Sequence, residues 1–137
     1  VTERVFLDTN IFVYADDSRA GRKRTLAQRL LAEVFENATA VVSTQVLQEF
    51  FAVATRKLGL PPDIVRAKVE LIARLEVVQV DVDLILEAID LHRLHALSFW
   101  DALVVCAAKS AKCSRLVTED LQDGQVIMGI RIENPFA

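Results

Sequence analysis

Residues 1–17 read "VTERVFLDTNIFVYADD", and the position of Asp8 in that stretch governs how the rest of the chain is read. Val5, Phe6 and Leu7 form a short apolar run with the character of a buried strand. An ionised carboxylate directly after such a strand costs desolvation free energy unless something compensates it. Asp8 therefore either caps a following helix, for which Asp is among the favoured residues, or binds something.

Beyond Asp8 the pattern alternates between helix and strand. "TNIFVYADD" reads as a short helix, and "RTLAQRLLAEVFENA" as a longer one with Leu26, Leu30, Leu31, Val34 and Phe35 on one face. "TAVVS" is a second strand. "STQVLQEFFAVATRKLG" reads as a helix capped by Ser43 or Thr44 and closed by Gly59, with Leu47, Phe50, Phe51 and Ala54 inward. "LPPDIVRAKVELIARLE" starts another at Pro61 and Pro62, with Ile64, Val65, Val69, Ile72 and Leu75 continuing its apolar stripe. "VVQV" makes a third strand, and the helices "DLILEAIDLHRLH" and "SFWDALVVCAAKSAKC" follow, the second apolar almost all round. "SRLVTED" is a fourth strand ending in acids, and "GIRIEN" offers a fifth. Short strands alternating with helices predict a three-layer α/β/α sandwich around a mostly parallel sheet. Ligands of such sheets bind outside the carboxyl ends of the strands, where Asp8 and Asp120 both fall.

A chain of 137 residues without repeat, low-complexity tract or linker reads as one domain over 1–137. With 53% hydrophobic and 26% charged residues, it has the composition of a folded soluble protein and not of a disordered one. No run is apolar for long enough to cross a bilayer and no signal-peptide core is visible, so a cytoplasmic protein without membrane partners is expected. Cys106 and Cys113 lie too far apart along one helix to bridge, and read as reduced core thiols. The net charge of -3 does not advertise a nucleic-acid binder. The stretch "SRAGRKR" nevertheless gathers Arg19, Arg22, Lys23 and Arg24, a run that is either a solvated helix start or a set of phosphate contacts.

Four acids stand where apolar residues are expected. Asp8 is the first of them. Glu49 lies beside Leu47, Phe50 and Phe51, at the margin of its helix's apolar face. Asp101 falls in the first turn of the most apolar helix, where it either answers the helix dipole after Ser98 or belongs to a site. Asp120, with Glu119 and Asp123 in "TEDLQDG", reads as an acidic turn or a further site acid. One shared site explains all four together. Carboxylates at close range need a compensating charge, and oxygen ligands without Cys or His favour a hard cation, Mg²⁺ or Mn²⁺. Such a site suits phosphodiester hydrolysis. His92 and His95 lack further zinc ligands, Phe99 and Trp100 read as core, and Lys109 and Lys112 as solvated partners of a helix dipole.

The segments "FLDTNIFVYADD", "STQVLQEFF", "SFWDALVVCAA" and "LVTEDLQDG", in that order, resemble the PIN-domain ribonucleases, and among them the VapC-type toxins of bacterial toxin–antitoxin pairs. The resemblance implies a compact α/β/α fold, a Mg²⁺- or Mn²⁺-dependent endoribonuclease activity on RNA, a cognate antitoxin and a homodimer. It makes Asp8 and Asp101 the principal metal ligands, Glu49 the helix-borne acid, and Asp120 or Asp123 the fourth acid. It makes Thr9, Asn10 and Thr118 small polar supports of those acids. A catalytically silent or receiver-like Mg²⁺-binding module is the alternative class, with Asp81 after "VVQV" as its acceptor. The single acid of "LDTN", and the presence of Glu49 and Asp101, fit it less well.

Overall fold

A computed structural model describes residues 2–137. The run Val5 to Leu7 lies in β1 (Arg4–Leu7) with all three side chains shielded from solvent. The elements that follow are α1 (Thr9–Asp16), α2 (Arg22–Asn37), β2 (Thr39–Ser43), α3 (Thr44–Arg56), α4 (Pro62–Ile72) and β3 (Glu76–Val78). The chain continues through α5 (Val82–Leu94), α6 (Phe99–Ser110), β4 (Arg115–Val117), β5 (Val126–Ile127) and β6 (Ile130–Glu133). The strands make one sheet in the order β3-β2-β1-β4-β6-β5, parallel except for the β5–β6 pair.

That order positions the site. From β1 the chain steps outward to β2 and β3, then returns across the sheet to β4 on the other side of β1. Right-handed crossovers lay the helices of the outward steps on one face and α5 and α6, which belong to the return, on the other. The direction reverses between β1 and β4, and a reversal of this kind opens a crevice at the carboxyl ends of the two strands. In register Leu7 is paired with Val117, so the residues just beyond them, Asp8 and Thr118, leave the sheet side by side.

α6 is the helix most deeply sunk into the molecule, with Ala102 to Ala108 buried without a break. Its continuous apolar surface follows from contacts with β2, β4 and β6 on one side and with α5 on another. Ser43 caps α3 by accepting from Val46 N at 3.3 Å, and Ser98 caps α6 by accepting from Asp101 N at 3.0 Å. Away from the site, near the start of β4, the buried Arg115 pairs with Glu133 at 2.5 Å and Glu3 at 3.1 Å, which ties β6 and the chain's beginning to β4.

Several apolar residues expected inside are found at the surface. The buried positions of α2 are Ala27 and Val34, seven apart, so Phe35 is turned a further 100° and stays 51% exposed. The same one-residue rotation exposes Phe51 beside the buried Phe50, and Ile64 beside the buried Val65. Phe35 and Leu71 instead line an apolar groove with Phe12, Leu31, Ile72 and Leu75. Trp100, expected in the core, is 61% exposed. The two-residue β5 was not expected; it pairs with β6 across Met128 and Gly129, whose φ values of 50° and 79° close a hairpin turn.

Phe6 has no exposed surface on a strand paired on both sides. Phe6→Ala is expected to lower the unfolding free energy by about 3–5 kcal/mol, read from the urea midpoint at unchanged slope. A loss below about 1 kcal/mol contradicts the placement of β1 at the sheet's centre.

Candidate active site at the carboxyl ends of β1 and β4

The crevice holds a cavity of about 280 Å³ lined by five carboxylates, those of Asp8, Glu49, Asp101, Glu119 and Asp120. They come from four separate segments: the end of β1, the middle of α3, the first turn of α6 and the turn after β4. Topology alone brings them together, since they are otherwise distant in the chain.

Asp8 is both the cap and the centre of the site. Its Oδ1 accepts from Thr9 N at 2.7 Å, starting α1, and its Oδ2 accepts from Thr118 Oγ1 at 2.7 Å. Both donors are neutral, and the side chain is buried. Burial pushes the carboxyl up to about 6, against the lowering hydrogen bonds from Thr118 and Thr9, with the charges of Asp120 and Glu49 adding to the rise. A buried carboxylate with neutral donors and acidic neighbours is short of positive charge.

The small polar residues connect the acids. Thr9 Oγ1 donates to Glu49 Oε1 at 3.4 Å, and Asn10 Nδ2 donates to Asp120 Oδ2 at 3.3 Å. The Thr118 hydroxyl donates to Asp8 and accepts from Asp120 N at 3.1 Å, coupling the ends of β1 and β4. Burial, and then the charges of Asp120 and Asp101, hold the Glu49 carboxyl above its ordinary range. Partial burial, and then Asp101 and Glu119, do the same to Asp120.

Among the described residues no three His, Cys, Asp or Glu side chains converge into a ready-made metal shell. The acids are spaced by Thr9, Asn10 and Thr118 instead of touching one another. The donor set is all oxygen, and spaced oxygen ligands fit a hard cation that keeps several waters.

The remaining site candidates are distributed less evenly. Asp123 is outside the cavity lining, and its Oδ1 accepts from Asn134 N at 2.9 Å, fixing the turn toward the chain's end. Of the basic cluster, Lys23 points inward: its Nζ reaches Glu119 Oε2 at 2.5 Å and lies 4.9 Å from the Tyr14 ring centre, while Tyr14 OH donates to Glu119 Oε1 at 2.7 Å. Despite partial burial, these bonds hold the Glu119 carboxyl below its ordinary value. Arg19 donates to Lys57 O at 3.3 Å, and Arg22 and Arg24 are exposed on the first turn of α2, outside the cavity lining. Asp81 caps α5 after the edge strand β3, accepting from Leu84 N at 2.9 Å, and lies outside the cavity lining. Burial pushes the Cys106 and Cys113 thiols up to about 11, which leaves them without nucleophilic character.

Sequence reading missed Tyr14, Gln45 and Lys57 in the lining. Gln45, Glu49, Val53 and Lys57 repeat every fourth residue of α3 and its C-cap, so the helical period was the available signal. Lys57 is the sole Lys or Arg in the described lining.

The model of the PIN domain family matches residues 5–122. No curated protein matches the sequence significantly. Among solved structures, the chain is similar to a toxin–antitoxin complex from Klebsiella pneumoniae, with 19% identity over 96% of this chain and 97% of that one and a TM-score of 0.69. It is similar to the DNA-bound VapBC of Salmonella typhimurium, with 25% identity over 97% and 98% and a TM-score of 0.67. It is also similar to Mycobacterium tuberculosis VapC20, described as a Sarcin-Ricin loop cleaving toxin, with 24% identity over 82% and 86% and a TM-score of 0.63.

Proposed function

Because the chain belongs to the PIN domain family, we propose that it is a Mg²⁺- or Mn²⁺-dependent endoribonuclease, a single nuclease domain over 1–137, acting as the toxin of a toxin–antitoxin pair. The observation that carries this reading is the convergence of Asp8, Glu49, Asp101 and Asp120 on one cavity at the sheet's switch point, around a buried carboxylate short of positive charge. The toxin reading draws support from the toxin–antitoxin assemblies and the Sarcin-Ricin loop cleaving toxin among the similar folds. Its partners are an RNA substrate, a cognate antitoxin protein and a second copy of the chain, and its compartment is the cytoplasm.

In this proposal Asp8, Asp101 and Asp120 hold the cation, with Glu49 completing the ligand set or orienting the attacking water. When bound, the cation supplies charge stabilisation at the phosphate and a lowered water pKa. The remaining work belongs to the chain. Thr118 and Thr9 hold both oxygens of Asp8, so its carboxylate has no rotational freedom to lose as substrate enters. Asn10 does the same for Asp120 from α1. In its water-orienting role the Glu49 carboxylate, whose basicity is raised by burial and neighbouring charge, would also accept a proton from the attacking water.

Lys57 is the counterweight to this acidity. Its ammonium group suits a phosphate flanking the scissile one: it lines the cavity, and its charge reaches Glu119, which is itself bonded to Lys23. Lys57→Ala is expected to raise KM about 3- to 10-fold with little change in kcat, and to lower the slope of log affinity against log salt by about 0.7. An unchanged slope contradicts this assignment.

The test of the function is paired cleavage of single-stranded RNA and DNA of one sequence by purified protein freed of co-purifying protein. Cleavage of the RNA alone, dependent on Mg²⁺ or Mn²⁺, supports the proposal. Metal-loaded folded protein that cleaves neither strand contradicts it and favours a binding module.

A further inference from the structure

Trp100 is the only tryptophan of the chain, and it occupies an unusual position for one. It immediately precedes Asp101 in the first turn of α6, it belongs to the lining of the acid cavity, and it is 61% exposed. Large aromatic side chains contribute much of a core's apolar area, and this one forgoes burial. Its neighbours anchor the turn that carries it. Phe99 meets the indole edge-on, with ring centres 5.1 Å apart and planes 73° from parallel, and Phe99 is itself packed on the core. The backbone carbonyl of Trp100 accepts from Nε2 of Gln45 at 3.5 Å, and Gln45 is only 5% exposed. Ser98 pins the turn from the other side through Asp101 N. The turn that carries the indole is thus anchored, and the indole is the largest aromatic surface in a mouth that also holds five carboxylates.

We propose that Trp100 stacks an unpaired nucleobase of the RNA next to the phosphate held at the acids, and so restricts cleavage to single-stranded or looped segments. The inference rests on the ribonuclease reading and deepens it. Adjacent residues of one helical turn carry the aromatic surface and a site carboxylate, as base and phosphate are adjacent in one nucleotide. A paired base has both faces covered by its stack, whereas an unpaired one offers a face to an aromatic side chain. Stacking tolerates every base, so Trp100 selects unpaired structure more than sequence. The acids cannot attract a polyanion by themselves, and a stacking surface supplies affinity that does not depend on charge.

The lone tryptophan reports its own occupancy. The full chain with Ca²⁺ in place of Mg²⁺ is titrated with a uridylate decamer, an adenylate decamer and a decamer of abasic riboses, following indole fluorescence. Steady-state cleavage of single-stranded RNA is measured in parallel for wild type, Trp100→Ala and Trp100→Phe, with the molar mass of each by light scattering. Quenching by the two base-bearing decamers but not by the abasic one is expected. Trp100→Ala is expected to lower kcat/KM about 10-fold, mainly through KM, with most activity restored in Trp100→Phe. Wild-type cleavage with no quenching and an unchanged Trp100→Ala KM overturns the stacking role while leaving the nuclease reading intact. A change of molar mass in Trp100→Ala without base-dependent quenching overturns it in favour of a self-association face. Absence of both RNA binding and cleavage in wild type defeats the nuclease reading and this inference together.

Discussion

Asp101→Asn is expected to reduce RNA cleavage by about 10³-fold or more at saturating substrate while the protein remains folded, with its unfolding free energy changed by less than about 1 kcal/mol. The two halves of that outcome have separate causes. Asp101 answers the amino end of α6, a favourable interaction that Asn loses. Its charge also opposes Glu49 and Asp120, whose carboxyls it helps to raise, and Asn relieves that repulsion. The terms oppose each other, and the cap of α6 remains because Ser98 bonds the backbone of residue 101 and not its side chain. Catalysis has no such compensation in the proposed mechanism, where the removed carboxylate is one of those that would hold the cation. Far-ultraviolet circular dichroism and a urea melt, beside the cleavage rate, check both halves. A variant that unfolds would make Asp101 a structural cap; one that cleaves normally would remove it from the site.

Asp8→Asn is expected to stabilise the metal-free protein at neutral pH, by on the order of 2–3 kcal/mol, while abolishing cleavage. The folded carboxyl is pushed up to about 6, against 3.8 for an ordinary Asp. Between those values the native state keeps a proton that the unfolded chain releases, so stability falls as pH rises from about 4 to about 6 and stays low above. The amide of the variant has no proton to release and escapes the loss. The two proteins should therefore have nearly equal stability near pH 4 and separate progressively up to about pH 6 to 7, with wild type the less stable. Mg²⁺ or Mn²⁺ should narrow the gap by stabilising wild type. Urea unfolding at a series of pH values in EDTA checks the sign. Destabilisation by the substitution that is as large near pH 7 as near pH 4 would mean that the hydrogen bonds to Thr9 and Thr118 outweigh the buried charge.

The strand ends were the most legible part of the sequence. An apolar run followed by one acid, met twice, identified both Asp8 and the turn of Asp120 as occupants of the crevice, because period and position suffice to find strand ends. Glu49 was legible through its place beside an apolar stripe. The fate of Lys23 was not, since its pairing with Glu119 joins residues 96 positions apart across a sheet order that local pattern does not reveal. Arg22 and Arg24, from the same cluster, stay outside the cavity lining. Trp100 reads as core from the sequence because it opens an apolar helix, yet the buried stretch of that helix starts only at Ala102. Phe35 and Phe51 failed for a different reason: a stripe two residues wide identifies an apolar face without saying which edge of it the sheet covers.

Cleavage of total small RNA, resolved on a sequencing gel, tests the central claim most directly. Wild-type protein freed of any bound protein is compared with Asp101→Asn, each with Mg²⁺, with Mn²⁺ and with EDTA. Discrete fragments that require the cation and disappear in the variant are the predicted result. Fragments that persist in EDTA or in Asp101→Asn would show that the acids at the switch point are not the seat of the activity.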